Sequence, residues 1–183
     1  MTSAIILIGP VRTGKSTVGS LLAQQLGVPF YDMDALRYAY YAEIGYDTAE
    51  ASRRRTDEGF WGLYRYWKPF EAHAVERLLA DHPDCVISFG AGHSVYEDDA
   101  LFERVRTAMA PFPKVILLMP SPDLEESIRI LRERDEDPPV TVPDIVEHLV
   151  RHHSNWDLAN EVVYTRGKTP QDTCDEIRRG LGV

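Results

Sequence analysis

Ile5-Ile6-Leu7-Ile8-Gly9-Pro10-Val11-Arg12-Thr13-Gly14-Lys15-Ser16-Thr17 is the stretch that decides the architecture. The apolar run Ala4–Ile8 has the length of a buried strand, and a helical pattern follows to about Leu26. Between them, Gly9 to Ser16 fits the spacing Gly, four residues, Gly-Lys-Ser/Thr. The glycines permit backbone conformations in which successive N–H groups converge on an anion, and the helix start adds its positive dipole end. Lys15 can reach the terminal phosphates of a nucleotide, and the Ser16 hydroxyl can ligate Mg²⁺. Gly9, Arg12, Thr13, Gly14, Lys15, Ser16 and Thr17 are therefore the expected nucleotide-binding residues, with ATP and Mg²⁺ as the implied cofactors.

Outward from this loop, short apolar runs alternate with helical patterns. Strands are expected at Val28–Tyr31, Cys85–Phe89, Val115–Met119 and Val162–Tyr164. Helices are expected over Ala35 to about Leu79 (broken near Gly45 and Gly59), Asp98 to about Ala108, Asp123–Arg134, Asp144–His153 and Pro170–Leu181. Asp135–Pro143, polar and proline-bearing, reads as a mobile loop. Continuous apolar strands separated by helices imply a parallel sheet buried on both faces, hence a three-layer α/β/α sandwich with five parallel strands of the P-loop nucleotide-kinase type.

The 183 residues suffice for a single domain spanning 1–183. Apolar residues make up 44% and charged residues 27%, an ordinary globular balance. A net charge of −9 argues against general nucleic-acid binding, which needs a surplus of Lys and Arg. Cys85 and Cys174 have no neighbours at metal-ligand spacing and read as reduced thiols. No run is long enough to span a bilayer, and Ala4–Ile8 is too short for a signal segment, so a cytoplasmic protein without a membrane partner, monomeric or homodimeric, is the expectation.

Strand three ends in Ser88-Phe89 and strand four in Met119-Pro120, so neither supplies a carboxylate for a metal. Asp32 and Asp34 follow the second strand, and residues two apart in extended chain point to one side. Asp32 is the expected metal partner of Ser16. Asp34 is the expected acceptor-side residue that orients or deprotonates a hydroxyl, with helix capping by Asp34 as the structural alternative.

From Ile5 through Phe30-Tyr31-Asp32-Met33-Asp34 the chain resembles shikimate kinase and related small-molecule P-loop kinases. The resemblance continues at Val86-Ile87-Ser88-Phe89-Gly90-Ala91-Gly92, at Trp67-Lys68-Pro69-Phe70-Glu71, at Arg151 eight residues before Ala159, and at Thr165-Arg166-Gly167-Lys168-Thr169-Pro170, which resembles the loop bordering adenine. It implies an ATP-dependent phosphotransferase acting on an alcohol group, with a helical acceptor-binding segment at 35–80 and a lid at 128–143. Arg129, Arg166, Lys168 and Pro170 would then join the nucleotide site, and Lys15, Asp34, Arg132 and Arg134 the catalytic set. Tyr38, Arg65, Lys68, Gly90, Ala91, Gly92, His93 and Arg151 would join Asp34 around the acceptor.

The pocket also departs from the family pattern. Lys68 stands for an Arg, Ala91 for the middle Gly, and Asp137-Pro138 for the lid Arg-Pro, while Arg151-His152-His153-Ser154-Asn155 lacks the usual Pro and Tyr. Aromatics from Tyr38 to Trp67, with Arg53, Arg54, Arg55 and Arg65, can either clamp an acceptor or build a small core with a solvated charged face. Arg129 and Arg132 can likewise pair with Glu125, Glu126 and Glu133 instead of serving a lid. Adjacent His152 and His153, on different helix faces, make a poor metal pair. The expected activity is phosphoryl transfer to a polyol, cyclitol, sugar acid or related metabolite. The alternatives are a nucleoside or nucleotide kinase and a nucleotide-binding regulatory module with little transfer activity.

Overall fold

The computed structural model describes residues 3–134 and 145–182. The expected loop at 135–143, including Asp137 and Pro138, and the greater part of the expected lid lie outside the described residues. Five strands form one parallel sheet: β1 (Ile5–Ile8), β2 (Phe30–Asp32), β3 (Val86–Ser88), β4 (Val115–Met119) and β5 (Glu161–Tyr164), in the order β2-β3-β1-β4-β5. The helices are α1 (Lys15–Leu26), α2 (Met33–Glu43), α3 (Thr48–Asp81), α4 (Asp99–Met109), α5 (Leu124–Glu133), α6 (Ile145–Arg151), α7 (His153–Leu158) and α8 (Pro170–Leu181).

Side-chain alternation explains the three layers. Ile5 and Leu7 of β1 face one side, where they pack with Val18 and Leu22 of α1 and Cys174 and Ile177 of α8. Ile6 and Ile8 face the other, packing with Val75 and Leu78 of α3, Val105 of α4 and Ile128 of α5. Both sets are buried, which is why β1 reads as an unbroken apolar run. Cys85 and Cys174 are buried free thiols, and burial pushes each up to about 11.

The expected elements form, with local differences. Strand β2 begins two residues late because Gly27, at φ 68°, closes α1 and Val28 still donates its N–H to Ala23 O. Helix α3 changes direction at Gly59 (φ 69°, ψ −161°), where the break was expected. The expected helix ending at His153 instead stops at Arg151. His152 is extended and accepts the Ser154 N–H, capping α7, which the sequence pattern did not separate. Asp32, not Asp34, caps α2: its Oδ1 accepts the Asp34 N–H at 3.0 Å. Asp34 therefore lies in the first helical turn and not in extended chain. None of the described helices is long and apolar enough to cross a membrane.

Gly9 is the tightest point between β1 and β4. A Cβ there would meet the Leu118 carbonyl oxygen at 2.5 Å, on a backbone at φ 134°. Gly9→Ala is expected to destabilise the fold by about 1–3 kcal/mol, read as a lower urea midpoint at unchanged m-value.

Candidate active site

Residues 9–16 wrap into a concave backbone. Arg12 at φ 63° and Gly14 at φ 90° alternate with ordinary residues, a geometry that turns N–H groups toward a common point. Gly14 caps α1 without a side-chain hydrogen bond, so the N–H groups of the first turn carry no competing carboxylate. Thr13 Oγ1 donates to Pro10 O at 3.0 Å and braces the turn. Lys15 is buried, with Nζ donating to the carbonyls of Gly9 (2.8 Å) and Pro10 (2.7 Å). Burial lowers its pKa to about 8, against the opposing pull of Asp34 and Asp32.

Asp32 pairs with Ser88 across β2–β3, and Ser88 Oγ lies 3.3 Å from Ser16 Oγ. Ser88 is a hydroxyl beside the loop that sequence reasoning passed over while looking for a carboxylate. The donor set of Ser16, Ser88 and Asp32 is all oxygen, which suits a hard cation such as Mg²⁺.

On the nucleotide side, Thr13, Gly14, Thr17, Val18, Arg134, Thr165, Lys168, Pro170 and Thr173 line a cavity of about 210 Å³. Arg134 Nη1 donates to Arg12 O at 2.9 Å, tying the end of α5 to the loop. Thr165 Oγ1, at the start of the stretch that resembles the adenine-bordering loop, is buried without a partner, an unanswered polar atom in the cavity wall. Larger hollows lie at Asp172, Asp175, Arg178 and Arg179 (about 500 Å³) and around Arg106, Phe112 and Asn160 (about 440 Å³). Neither contains a loop residue, so size does not mark this site.

On the other side, Asp34 Oδ1 lies against Gly90, beside the 3₁₀ turn Ala91–Ser94. Lys68 of α3 is buried under this turn. Its Nζ donates to Glu71 Oε2 (2.6 Å), Gly92 O (3.0 Å) and Val95 O (3.0 Å), and sits 3.8 Å from the Tyr64 ring centroid. An ammonium has three N–H bonds, so all of its donors are answered within the protein. Gly92 needs its missing side chain, because the Glu71 carboxylate fills that space.

The remaining charged residues expected at the site are engaged in ion pairs, Lys168 at the cavity edge included. Arg65 is 64% exposed and pairs with Glu58, as Arg54 does with Glu50 and Glu58. Arg53 also pairs with Glu50. Arg129 pairs with Glu126 and Glu133, Arg132 with Glu147, Arg151 with Glu125 and Glu147, Arg166 with Glu126, and Lys168 with Glu176. Tyr41, Tyr46, Tyr66 and Phe70 pack ring on ring as a small core for α2 and α3, and Tyr38 lies at its exposed edge. His152 and His153 stack at 4.7 Å instead of diverging. His148 Nε2 engages Glu97 at 2.7 Å and lies 3.3 Å from Tyr64 Oη, and His152 is the third member of this group. Since His148 Nε2 is so engaged and His152 Nδ1 caps α7, the cluster ties α6 to the segment after the turn.

The shikimate kinase family model matches residues 12–181. A shikimate kinase of Streptomyces coelicolor is 30% identical over 178 residues, covering 92% of this chain and 89% of that protein. The chain belongs to the shikimate kinase family. Among solved structures, the shikimate kinase from Acinetobacter baumannii in complex with shikimate aligns over 100% of this chain and 94% of its own, with TM-score 0.64 and 20% identity. A gluconokinase from Sinorhizobium meliloti aligns over 99% and 92%, with TM-score 0.51 and 17% identity. These two likenesses establish the P-loop kinase fold. Membership makes the chain an ATP-dependent phosphotransferase acting on a hydroxyl of a small molecule.

Two measurable consequences follow from these geometries. Removing the cation in Lys68→Met leaves Glu71 buried and unpaired, and is expected to cost about 3–5 kcal/mol in chemical denaturation, with the double variant Lys68→Met/Glu71→Gln recovering a large part. For Lys15, a pKa of about 8 means the ammonium is already charged below that pH. Nucleotide affinity is expected to be insensitive to Lys15 well below pH 8 and to fall as pH rises through about 8, with proton uptake on binding near and above that pH visible by calorimetry in buffers of different ionisation enthalpy.

Proposed function

We propose that this chain transfers the γ-phosphoryl group of ATP, with Mg²⁺, to a hydroxyl of a small polyol, cyclitol or sugar acid. The observation that carries the reading is Asp34: 58% exposed in the first turn of α2, its carboxylate against Gly90 and its charge felt by Lys15. An acid and a buried ammonium thus serve one cleft at the carboxyl edge of the sheet, where parallel-sheet enzymes hold ligands.

In this reading the loop N–H groups and Lys15 hold the phosphates, and Lys15 with Arg134 offsets charge on the transferring group. Ser16, with Ser88 beside it, and Asp32 would hold Mg²⁺, which supplies further neutralisation of phosphate charge when bound. The cavity edged by Thr165, Lys168 and Pro170 would take the base, with Thr165 Oγ1 as a hydrogen-bonding group for it. Asp34 orients the acceptor hydroxyl and accepts its proton as the oxygen attacks phosphorus, while the bond to the bridging oxygen breaks and ADP leaves. The helical segment 35–80 would frame the acceptor, and Arg132 would serve the nucleotide from the end of α5.

Lys68 marks the difference from the family pattern. At the position of a carboxylate-holding Arg, it has no free donor for a substrate. We therefore read the preferred acceptor as one other than shikimate.

The test is ADP release with a panel of hydroxylated acids, cyclitols and polyols, shikimate included. Stimulation by at least one member, with shikimate not the best, is expected; no stimulation by any of them rejects the proposal. Asp34→Asn is expected to bind ATP as the wild type does while kcat falls by about 10²–10⁴-fold. Wild-type turnover in that variant would remove Asp34 from the chemistry.

A further inference from the structure

Away from the phosphate loop, three side chains of metal-ligand type converge where α6 ends: Glu97, His148 and His152. Each offers an oxygen or a ring nitrogen within 4.8 Å of the other two. Among the described residues, no other group of three His, Cys, Asp or Glu side chains closes in this way. The two histidines are four residues apart, in His148-Leu149-Val150-Arg151-His152. His148 lies in α6, and the His152 N–H still donates to His148 O at 3.0 Å, so one helical turn puts both rings on one face. The ring centroids are 5.2 Å apart. Glu97 comes from a distant part of the chain, two residues beyond Val95, whose carbonyl receives Lys68. Its Oε1 lies 2.7 Å from His148 Nε2.

A pair of histidines at this spacing presents two nitrogens to one ion. Two imidazoles and one carboxylate suit a borderline cation such as Zn²⁺, whereas Mg²⁺ takes oxygen ligands in octahedral geometry. A tetrahedral zinc with ligands at about 2.0–2.2 Å holds its donor atoms about 3.3 Å apart. The Glu97–His148 contact therefore has to open slightly, and no other separation has to close by more than about 1.5 Å. The side chains of Glu97 and His148 are 43% and 26% exposed, which leaves room for that adjustment and gives an ion access from solvent. Three protein ligands leave the fourth position to water.

The neighbours fit such a site. Trp61 and Tyr64 of α3 meet the His148 ring edge to face, at centroid distances of 5.1 and 5.7 Å, and fix its place. His153 stacks on His152 at 4.7 Å, but its Nδ1 engages Asp157 Oδ2 at 2.7 Å, so its polar edge is used elsewhere. His152 Nδ1 accepts the Ser154 N–H at 3.2 Å. A metal on that nitrogen takes its lone pair, and a metal on Nε2 moves the ring proton to Nδ1, so metal and cap are alternatives. One helix cap is small beside a three-ligand zinc site.

We propose that Glu97, His148 and His152 form a binding site for a borderline divalent cation, Zn²⁺ foremost, separate from the Mg²⁺ carried with nucleotide. The ion cross-links α6 to the segment after the 3₁₀ turn, and so joins α6 to the wall that Lys68 grips. None of the three residues lies in the loop or lines the cavity beside it, so the ion takes no part in phosphoryl transfer. The site stands independently of the acceptor reading above.

The experiment titrates ZnCl₂ and CoCl₂ separately into the full chain, stripped of metal by a chelator and free of nucleotide, by calorimetry and visible spectroscopy. One equivalent of Zn²⁺ is expected to bind and to resist displacement by millimolar Mg²⁺. Co²⁺ should give the intense visible bands of a four-coordinate site. The thermal midpoint should rise with zinc concentration and fall back on adding EDTA. His148→Ala and His152→Ala are expected to weaken zinc binding by about 100-fold or more, since an outer-shell partner alone is worth 10–100-fold. Glu97→Gln should weaken it by about 10–100-fold, and His153→Gln should bind as the wild type does, with ADP affinity unchanged in all four. If His148→Ala fails to fold, His152→Ala and Glu97→Gln, which keep the contacts of His148 with Trp61 and Tyr64, carry the test. A wild type that binds no zinc overturns the proposal, as does equal affinity in wild type and the ligand variants. An equal loss in His153→Gln overturns it too, and so does displacement of zinc by Mg²⁺–ADP, which would put the ion at the phosphate loop.

Discussion

The Lys68 ammonium is the joint between the two parts of the cleft. It lies beneath the turn after β3, and its three N–H bonds run to the Glu71 carboxylate and to the carbonyls of Gly92 and Val95. A buried charge is tolerable when it is both paired and hydrogen-bonded, and here both conditions hold. The consequence reaches beyond stability. Because α3 grips the turn from below, Gly90 is fixed against Asp34 and His93 is held with its backbone N–H on Gly90 O at 2.9 Å. The Tyr41 hydroxyl then meets the imidazole from α2, so α2, α3 and the turn become one rigid wall facing the phosphate loop.

How much of this was legible in the sequence depended on whether backbone or side chain carries the feature. The loop at 9–16 was readable because its glycines answer to backbone sterics alone, and the sheet because strands buried on both faces read as continuous apolar runs. Lys68 misled, since no linear pattern shows that the carbonyls of Gly92 and Val95 converge on residue 68. Arg54 had readable partners in Glu50 and Glu58, four residues to either side, whereas the Arg65–Glu58 pair forms across the break at Gly59 and has no helical spacing to announce it. Ser88 and Thr165 sat inside stretches that resemble the family, but which atom of each stretch matters comes only from a strand register and a cavity wall.

Electrostatics sets the order of events that this cleft can support. Lys15 is a buried cation whose burial outweighs the attraction of Asp32 and Asp34, leaving it with a pKa of about 8. Its charge is held by the carbonyls of Gly9 and Pro10, weak partners compared with phosphate. Phosphate arriving at the loop would therefore raise the Lys15 pKa and relieve a strained ionisation, so nucleotide binding and lysine protonation reinforce one another.

The division between backbone and side chain also separates the parts of this scaffold that tolerate substitution from those that do not. The nucleotide half draws on glycine conformations, a helix terminus and one lysine, features that fix the sheet as much as the chemistry. Altering them disturbs β1 itself, since Gly9 is pressed against Leu118. The wall opposite the loop is made of side chains on α2, α3 and a single turn, among them Asp34, Lys68 and His93. These can exchange roles while the wall stands, provided the buried charges stay paired.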